Sequence, residues 1–562
     1  MKSSFYLATF YLGALFFSCV KKESPDLILF HGNIHTMIAQ DDSVQAIAIQ
    51  DGKILAIGKD KEILKLKFTS TQLIDLYGQL VLPGFTDAHI HPVSGGLAFL
   101  ECELEGLATP KEILDSLKRY ALLHSGRKWI RGENMWLAAF KNGNPLKEDL
   151  DSIISDRPVY VSSSDGHNAW VNSKALELSS ISKETPDPLH GVIERNNNSR
   201  EPSGTLRETA MDLVRQHLPA YTDDDRLEAL KKSIALANQN GLTSLNEASA
   251  NPDYISAYYT LEKEGKLNAH INLSIYCDIS KGIPDVNRVI KIRDSLLKIK
   301  SNINPNEVKL FMDGVVEGKT AAMLSNYAND HHAGIANTSP DIAKEVITAF
   351  DKAGMQIHVH SIGDRATRMT LDAFENALKI NGARDSRHHI AHLHVIHPDD
   401  YPRFKALHVI ANFQALWATW EDSYMTELNL PNLGPERMEW QYPMGSLLKA
   451  GATLAFGSDW DVSTQNPFYA LQVAVTRRGP DSIKREAWTP QHLIDRYEVI
   501  KGYTVNGAYL TFRENETGTL QPGKSADIIV VDQNILTCDP FSIYKTKVIK
   551  TFFKGKEVYS LK

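Results

Sequence analysis

The sequence predicts an α/β fold: a (β/α)8 TIM-like barrel with a large inserted lobe, plus a small β-sandwich domain built from both chain ends. Three observations predict it. From about 82 to 512, apolar runs such as Thr453-Leu454-Ala455-Phe456 alternate with helical stretches such as Ile342 to Ala353, which is the pattern of repeated βα units over a parallel sheet. Four of those apolar runs finish on histidine or aspartate, and barrel active sites form where strands finish, at the C-terminal rim. Both chain ends are rich in short alternating strands instead.

At the N-terminus, Lys2 precedes an apolar run from Phe5 to Phe17, too short to span a bilayer and of the length of a secretory core. Residues 1–18 are expected to be a signal peptide and the protein to be exported. The run closes on Leu15-Phe16-Phe17-Ser18-Cys19, which resembles a bacterial lipoprotein cleavage site. On that reading the protein lies in the bacterial periplasm or on the outer membrane and touches a membrane only through a lipid on Cys19. Cys102, Cys277 and Cys538 are widely spaced, so neither a disulfide framework nor a CxxC metal site is expected.

Residues 19–81 hold Leu27-Ile28-Leu29, then Ala46 to Ile49 and Ile54 to Ile57 around the turn pair Asp51-Gly52, a hairpin signature. Residues 513–562 supply Ala526 to Val531 and Val548 to Phe553, and the two ends are expected to share one domain. The barrel is assigned to 82–512. Eight βα units take about 250 residues, so the excess is assigned to a lobe at about 95–302, with few strand candidates beyond Val159-Tyr160-Val161. The 562 residues exceed what a single core usually supports. With 43% hydrophobic and 23% charged residues and a net charge of −7, nothing favours nucleic acid as a partner. A homodimer is compatible with this composition.

Pro83-Gly84-Phe85-Thr86-Asp87-Ala88-His89-Ile90-His91 ends an apolar run in a His-x-His pair. Alternate strand side chains share a face, so both imidazoles can enter one cavity as metal ligands. Gln356-Ile357-His358-Val359-His360, His389-Ile390-Ala391-His392-Leu393-His394 and Leu454-Ala455-Phe456-Gly457-Ser458-Asp459 repeat that shape. His360 and His392 are 32 residues apart and His392 and Asp459 are 67 apart, one and two barrel units of roughly 31 residues. A strand should pass between the last two, and His408 to Phe413 fits. Spacing leaves His358 against His360, and His392 against His394, open.

These motifs, with Asp165-Gly166-His167-Asn168-Ala169-Trp170, Val308-Lys309-Leu310-Phe311-Met312-Asp313, His360-Ser361-Ile362-Gly363-Asp364 and Gly518 to Asp532, resemble the amidohydrolase superfamily and its YtcJ-like branch, amidohydrolase family 3. The resemblance covers nearly the whole chain after the leader. It implies metal ligands His89, His91, Lys309, His360, His392 and Asp459, with Lys309 carboxylated so that it bridges two metals. The family's His-x-x-Gly-Asp pattern selects His360. His392 is aligned with the histidine of Arg-Ile-Glu-His, although His389 and Ala391 depart from that pattern. One or two Zn2+ ions are implied, activating water for attack on a non-peptide carbon–nitrogen bond of a small amide, N-formyl or N-acyl compound. Asp459 shuttles the proton. His167, Asn168, Trp170, Asp313 and His394 are the candidate substrate contacts, with Trp136, Trp417 and Trp420 as an apolar wall. The alternatives are a deaminase or isomerase on the same scaffold, or an inactive ligand-binding lipoprotein.

Overall fold

The computed structural model describes residues 24–40, 42–196, 199–480 and 486–562; the expected signal peptide and Cys19 lie outside the described residues. Eight parallel strands form one sheet in chain order, curled into a nearly closed barrel. Numbered one to eight, they are Phe85–Ile90, Leu242–Ala250, His270–Tyr276, Asn304–Phe311, Gln356–Ser361, His389–His392, Ile410–Phe413 and Thr453–Phe456. The strand expected between His392 and Asp459 is the seventh. Helices cover the outside because their apolar residues recur at helical spacing. Pro340–Lys352, for example, buries Ala343, Val346, Ile347 and Phe350, and the Ser339 hydroxyl caps its first turn by accepting from the Ile342 N–H.

The barrel closes beyond strand eight. The Asp459 N–H donates to the His89 carbonyl at 2.7 Å, and the His91 N–H donates to the Trp460 carbonyl at 2.7 Å. Gly457 permits this approach, since a Cβ there would lie 2.5 Å from the His89 nitrogen.

The lobe is shorter than 95–302. Strands two and three fall inside that span, and the lobe's own strands end at Glu208. Strand two reads LTSLNEASA; its inward face carries polar residues that serve the barrel interior, which hides the apolar run of a barrel strand. The lobe also holds more strands than expected. Gly191–Arg195, Pro202–Glu208, Asn168–Val171, Val159–Ser163, Ile130–Met135 and Cys102–Glu103 form one six-stranded sheet in that spatial order. Ile130–Met135 reads IRGENM, and Arg131, Glu133 and Asn134 from it line the cavity described below, so period-two hydrophobicity is lost.

The chain ends contribute to two sheets. One has the order Lys53–Gly58, Ala46–Gln50, Leu27–Phe30, Gln72–Asp75. In the other, Leu80–Pro83 pairs antiparallel with Ile528–Val531, which pairs with Val548–Phe553. Leu27, Ile47, Val81, Ile528 and Phe552 share one apolar cluster. A buried hydrogen bond ties this unit to the barrel, His270 Nε2 lying 2.8 Å from Asp527 Oδ2.

Because the close approach at Gly457 holds the two barrel edges together, Gly457→Ala is expected to lower stability by about 1–3 kcal/mol, the usual cost of overpacking. Urea denaturation checks this, and an unchanged midpoint would contradict it.

Candidate metal centre

Strand one places the first ligands. Its alternation turns Asp87 and His89 to the same side, and His91 follows just past the strand end, capping the helix Pro92–Ala98. Asp87 Oδ1 accepts from the His89 N–H at 3.1 Å and the Ser458 N–H at 3.0 Å, pinning strand one to the loop that carries Asp459. Burial pushes the Asp87 carboxyl up to about 7.

Asp459 is the centre of the site. Its Oδ1 lies 3.2 Å from His89 Nε2 and 3.0 Å from His91 Nε2, while Oδ2 lies 3.7 Å from His392 Nδ1. His91 Nδ1 faces Glu247 Oε1 at 3.6 Å. Ligand atoms of His89, His392 and Asp459 all fall within 4.8 Å of one another. Asp459 Oδ1 and His392 Nδ1 are buried and find no hydrogen-bond partner among the described residues. Converging lone pairs of imidazole and carboxylate, left unbonded in a dry site, fit a divalent metal ion and would repel one another without a cation. The backbone agrees: His392 has φ 74° and Asp459 φ 53°, a left-handed conformation that costs non-glycine residues energy and gathers at functional sites.

Lys309 is fully buried. Its Nζ lies 3.5 Å from His89 Nε2 and 4.8 Å from the centre of the Phe311 ring. Among the described residues no carboxylate forms an ion pair with it, and burial pushes the ammonium down to about 7. His360 sits with its ring centre 4.5 Å from that of His392, and its Nε2 lies 3.2 Å from the Gly314 carbonyl. All six expected ligands therefore line one cavity of about 1120 Å³ between barrel and lobe. Burial by itself lowers His91, but the Asp459 and Glu247 carboxylates outweigh it and carry the imidazole up to about 10, which reflects the negative charge that the two carboxylates bring to the site.

The expected substrate contacts divide. His167 lines the cavity, its Nδ1 2.9 Å from Glu208 Oε2 and its ring 5.5 Å from that of His360. Burial lowers His167, yet Glu208 raises it to about 9. His394 also lines the cavity, stacked on Tyr442 and bonded to Gln441 at 2.6 Å. Asp313 reaches the wall, but its carboxylate accepts from the N–H groups of Ala322, Ile362 and Gly363, so it holds the loop after strand five. Asn168 and Trp170 do not reach the cavity. The Asn168 amide bridges Asp165 and Arg207, and the Trp170 indole donates to the Leu146 carbonyl at 2.8 Å while packing on Phe140 in the lobe core. Trp417 lies parallel to the His392 ring, 5.7 Å away. The sequence did not reveal Glu247, whose strand reads as polar, or Glu307, which alternation places on the same face as Lys309.

The amidohydrolase family profile matches residues 72–559. The chain belongs to the amidohydrolase family. It is 29% identical over 572 residues to protein LONG AFTER FAR-RED 3 of Arabidopsis thaliana, covering 98% of this chain and 95% of that one. It is 24% identical over 548 residues to an N-substituted formamide deformylase of Arthrobacter pascens, covering 94% and 97%. Among solved structures it resembles an uncharacterized metal-dependent hydrolase of Pyrococcus horikoshii OT3, with a TM-score of 0.71 and 23% identity over 92% of this chain and 99% of that one, a likeness of fold. This amidohydrolase is thus a hydrolase, with a buried group of His89, His392 and Asp459 able to hold a metal ion.

Removing a central ligand should strip the site. After dialysis against a chelator, wild-type protein is expected to retain stoichiometric divalent metal by elemental analysis, and Asp459→Ala to lose most of it. Equal metal content in both would contradict the assignment.

Proposed function

We propose that this amidohydrolase cleaves the carbon–nitrogen bond of a small amide, N-formyl or N-acyl compound, with zinc as its metal and Asp459 as the proton shuttle. The observation that carries the proposal is the placement of Asp459, a buried carboxylate whose unbonded Oδ1 lies within 3.2 Å of two strand-one imidazoles. Imidazole and carboxylate donors suit zinc. When bound, the metal supplies a Lewis acid and an acidified water.

The chain's own residues do the rest. His89, His91, His392 and Asp459 would hold the ion, with His360 beside His392 as a further candidate ligand. Burial would raise Asp459, but His89, His91 and His392 hold it well below the usual carboxylate range, so it is ionised and able to accept the proton of the attacking water at Oδ. It returns that proton to the departing nitrogen, because a neutral amine leaves far more readily than an amide anion. His167, charged through Glu208, is placed to receive a substrate carbonyl or an anionic substituent. Carboxylation of Lys309 is part of the proposal: its buried Nζ, with no carboxylate partner among the described residues, favours the free amine, which adds to carbon dioxide and releases one proton to give a carbamate. That group would give the site a bridging anion for a second ion.

The relative from Arthrobacter pascens, named as an N-substituted formamide deformylase, makes N-formyl compounds the first class to try. Export and a lipid anchor at Cys19 belong to the same proposal, and rest on the apolar run ending in Ser18-Cys19.

Hydrolysis of a panel of N-formyl, N-acyl and cyclic amides by the zinc-loaded mature protein tests the reading. Asp459→Asn is expected to lower kcat/KM on any active member by about 10²–10⁴, the usual contribution of a positioned acid–base group. Activity equal to wild type in that variant would sink the mechanism.

A further inference from the structure

Beneath the metal centre, the barrel interior holds a second cluster of ionisable groups that the chemistry above does not use. Glu307, His358 and His389 are all fully buried, with ligand-type atoms within 4.8 Å of one another. Ser274, Asn246 and Asn412 surround them. Glu307 Oε1 lies 3.1 Å from His358 Nδ1 and 3.2 Å from His389 Nε2, and it accepts from the Asn246 amide at 3.0 Å and from the Ser274 hydroxyl. His358 Nε2 lies 2.9 Å from His89 Nδ1. The cluster is therefore bonded within itself and to a metal ligand.

Who donates is decided by chemistry. A carboxylate oxygen only accepts, and the Ser274 hydroxyl, 3.1 Å from His358 Nδ1, gives its one hydrogen to Glu307 Oε1, so His358 Nδ1 carries the hydrogen that faces Glu307. In the neutral ring Nε2 then bears a lone pair, and the 2.9 Å contact to His89 is a bond only if His89 Nδ1 donates to it. That leaves the His89 lone pair on Nε2, the atom 3.2 Å from Asp459 Oδ1. The His89 carbonyl is held as well, by the Asp459 N–H. The ring tautomer of this ligand is thus set by a residue outside the ligand set, and its backbone by the peptide N–H of Asp459.

We infer that His358, oriented by Glu307, is a positioning residue that fixes His89 in the tautomer and orientation that present Nε2 to the metal. The inference rests on the reading of His89 as a ligand. It also explains why two histidines two residues apart on strand five do different work: His360 lines the cavity, while His358 points into the barrel interior and bonds His89. Groups that orient metal-bound imidazoles from behind typically matter 10–100-fold in metal affinity.

Three variants separate the possibilities, each read by zinc affinity in chelator competition and by the visible spectrum of the cobalt-loaded protein, with the unfolding midpoint of the metal-free form as a control on folding. His358→Phe removes the acceptor and is expected to weaken zinc binding roughly 10–100-fold and to shift the cobalt bands. His358→Gln offers an amide oxygen to the His89 N–H and is expected to stay closer to wild type than His358→Phe. His89→Ala is expected to lose the metal outright. Wild-type affinity in His358→Phe, or equal losses in the Phe and Gln variants, overturns the inference while His89→Ala still supports the ligand reading. Full zinc binding by His89→Ala overturns both.

Discussion

Everything at the active centre depends on how the barrel is closed. Strands one and eight are the edges of the sheet, and the contact between them runs through backbone: Asp459 N–H to the His89 carbonyl and His91 N–H to the Trp460 carbonyl, each at 2.7 Å. Those bonds join the peptide groups of the very residues whose side chains converge. Closing the barrel and assembling the ligand set are one event, so the distance between the His-x-His pair and Asp459 is set by sheet geometry rather than by side-chain preference. Gly457 and the Asp87 carboxylate, which binds N–H groups on both edges, serve the same closure.

That arrangement carries a cost. Imidazoles and carboxylates in a dry interior lose several kcal/mol of hydration each unless they are paired or hydrogen-bonded. The fold offsets this in two layers. Below, Glu307, His358, His389, Asn246 and Asn412 bond to one another, with only Glu307 Oε2 and Asn412 Oδ1 of that layer left without a partner among the described residues, and both amides also reach the Ala88 carbonyl, at 3.2 and 2.8 Å. Above, Asp459 Oδ1 and His392 Nδ1 find no hydrogen-bond partner among the described residues, and there the offset is left to a cation. The left-handed backbone of His392 and Asp459 belongs to this upper layer, where strain is tolerated because the ligands must face inward from strand ends.

The sequence made the barrel legible wherever a run rich in apolar residues leads into a ligand at or just past the strand end. Strands one, five, six and eight follow that rule, and the 32- and 67-residue separations were enough to place the seventh between them. Strands two and three were not legible. Alternation turns Ser244 and Asn246 into the barrel, and Glu247 adds a carboxylate on the other face, so the run loses the hydrophobic signature that a buried parallel strand usually shows. The lobe strands failed for a related reason, since the face that lines the cavity is polar. At the site, alternation could bring His89 and His91 to one place but could not say which histidine of strand five enters the cavity. That choice is made by Glu307, which captures His358. Trp170 and Asn168 were misplaced because a motif fixes residues along the chain and not which side of a lobe strand faces the barrel.

The central claim is that one divalent ion sits against Asp459 between the strand-one histidines and His392. Anomalous scattering at the zinc absorption edge, measured from crystals of the zinc-loaded protein, tests it most directly. The account predicts a strong peak bounded by His89, His91, His392 and Asp459. A strongest peak at Glu307, His358 and His389, with none at Asp459, would contradict it.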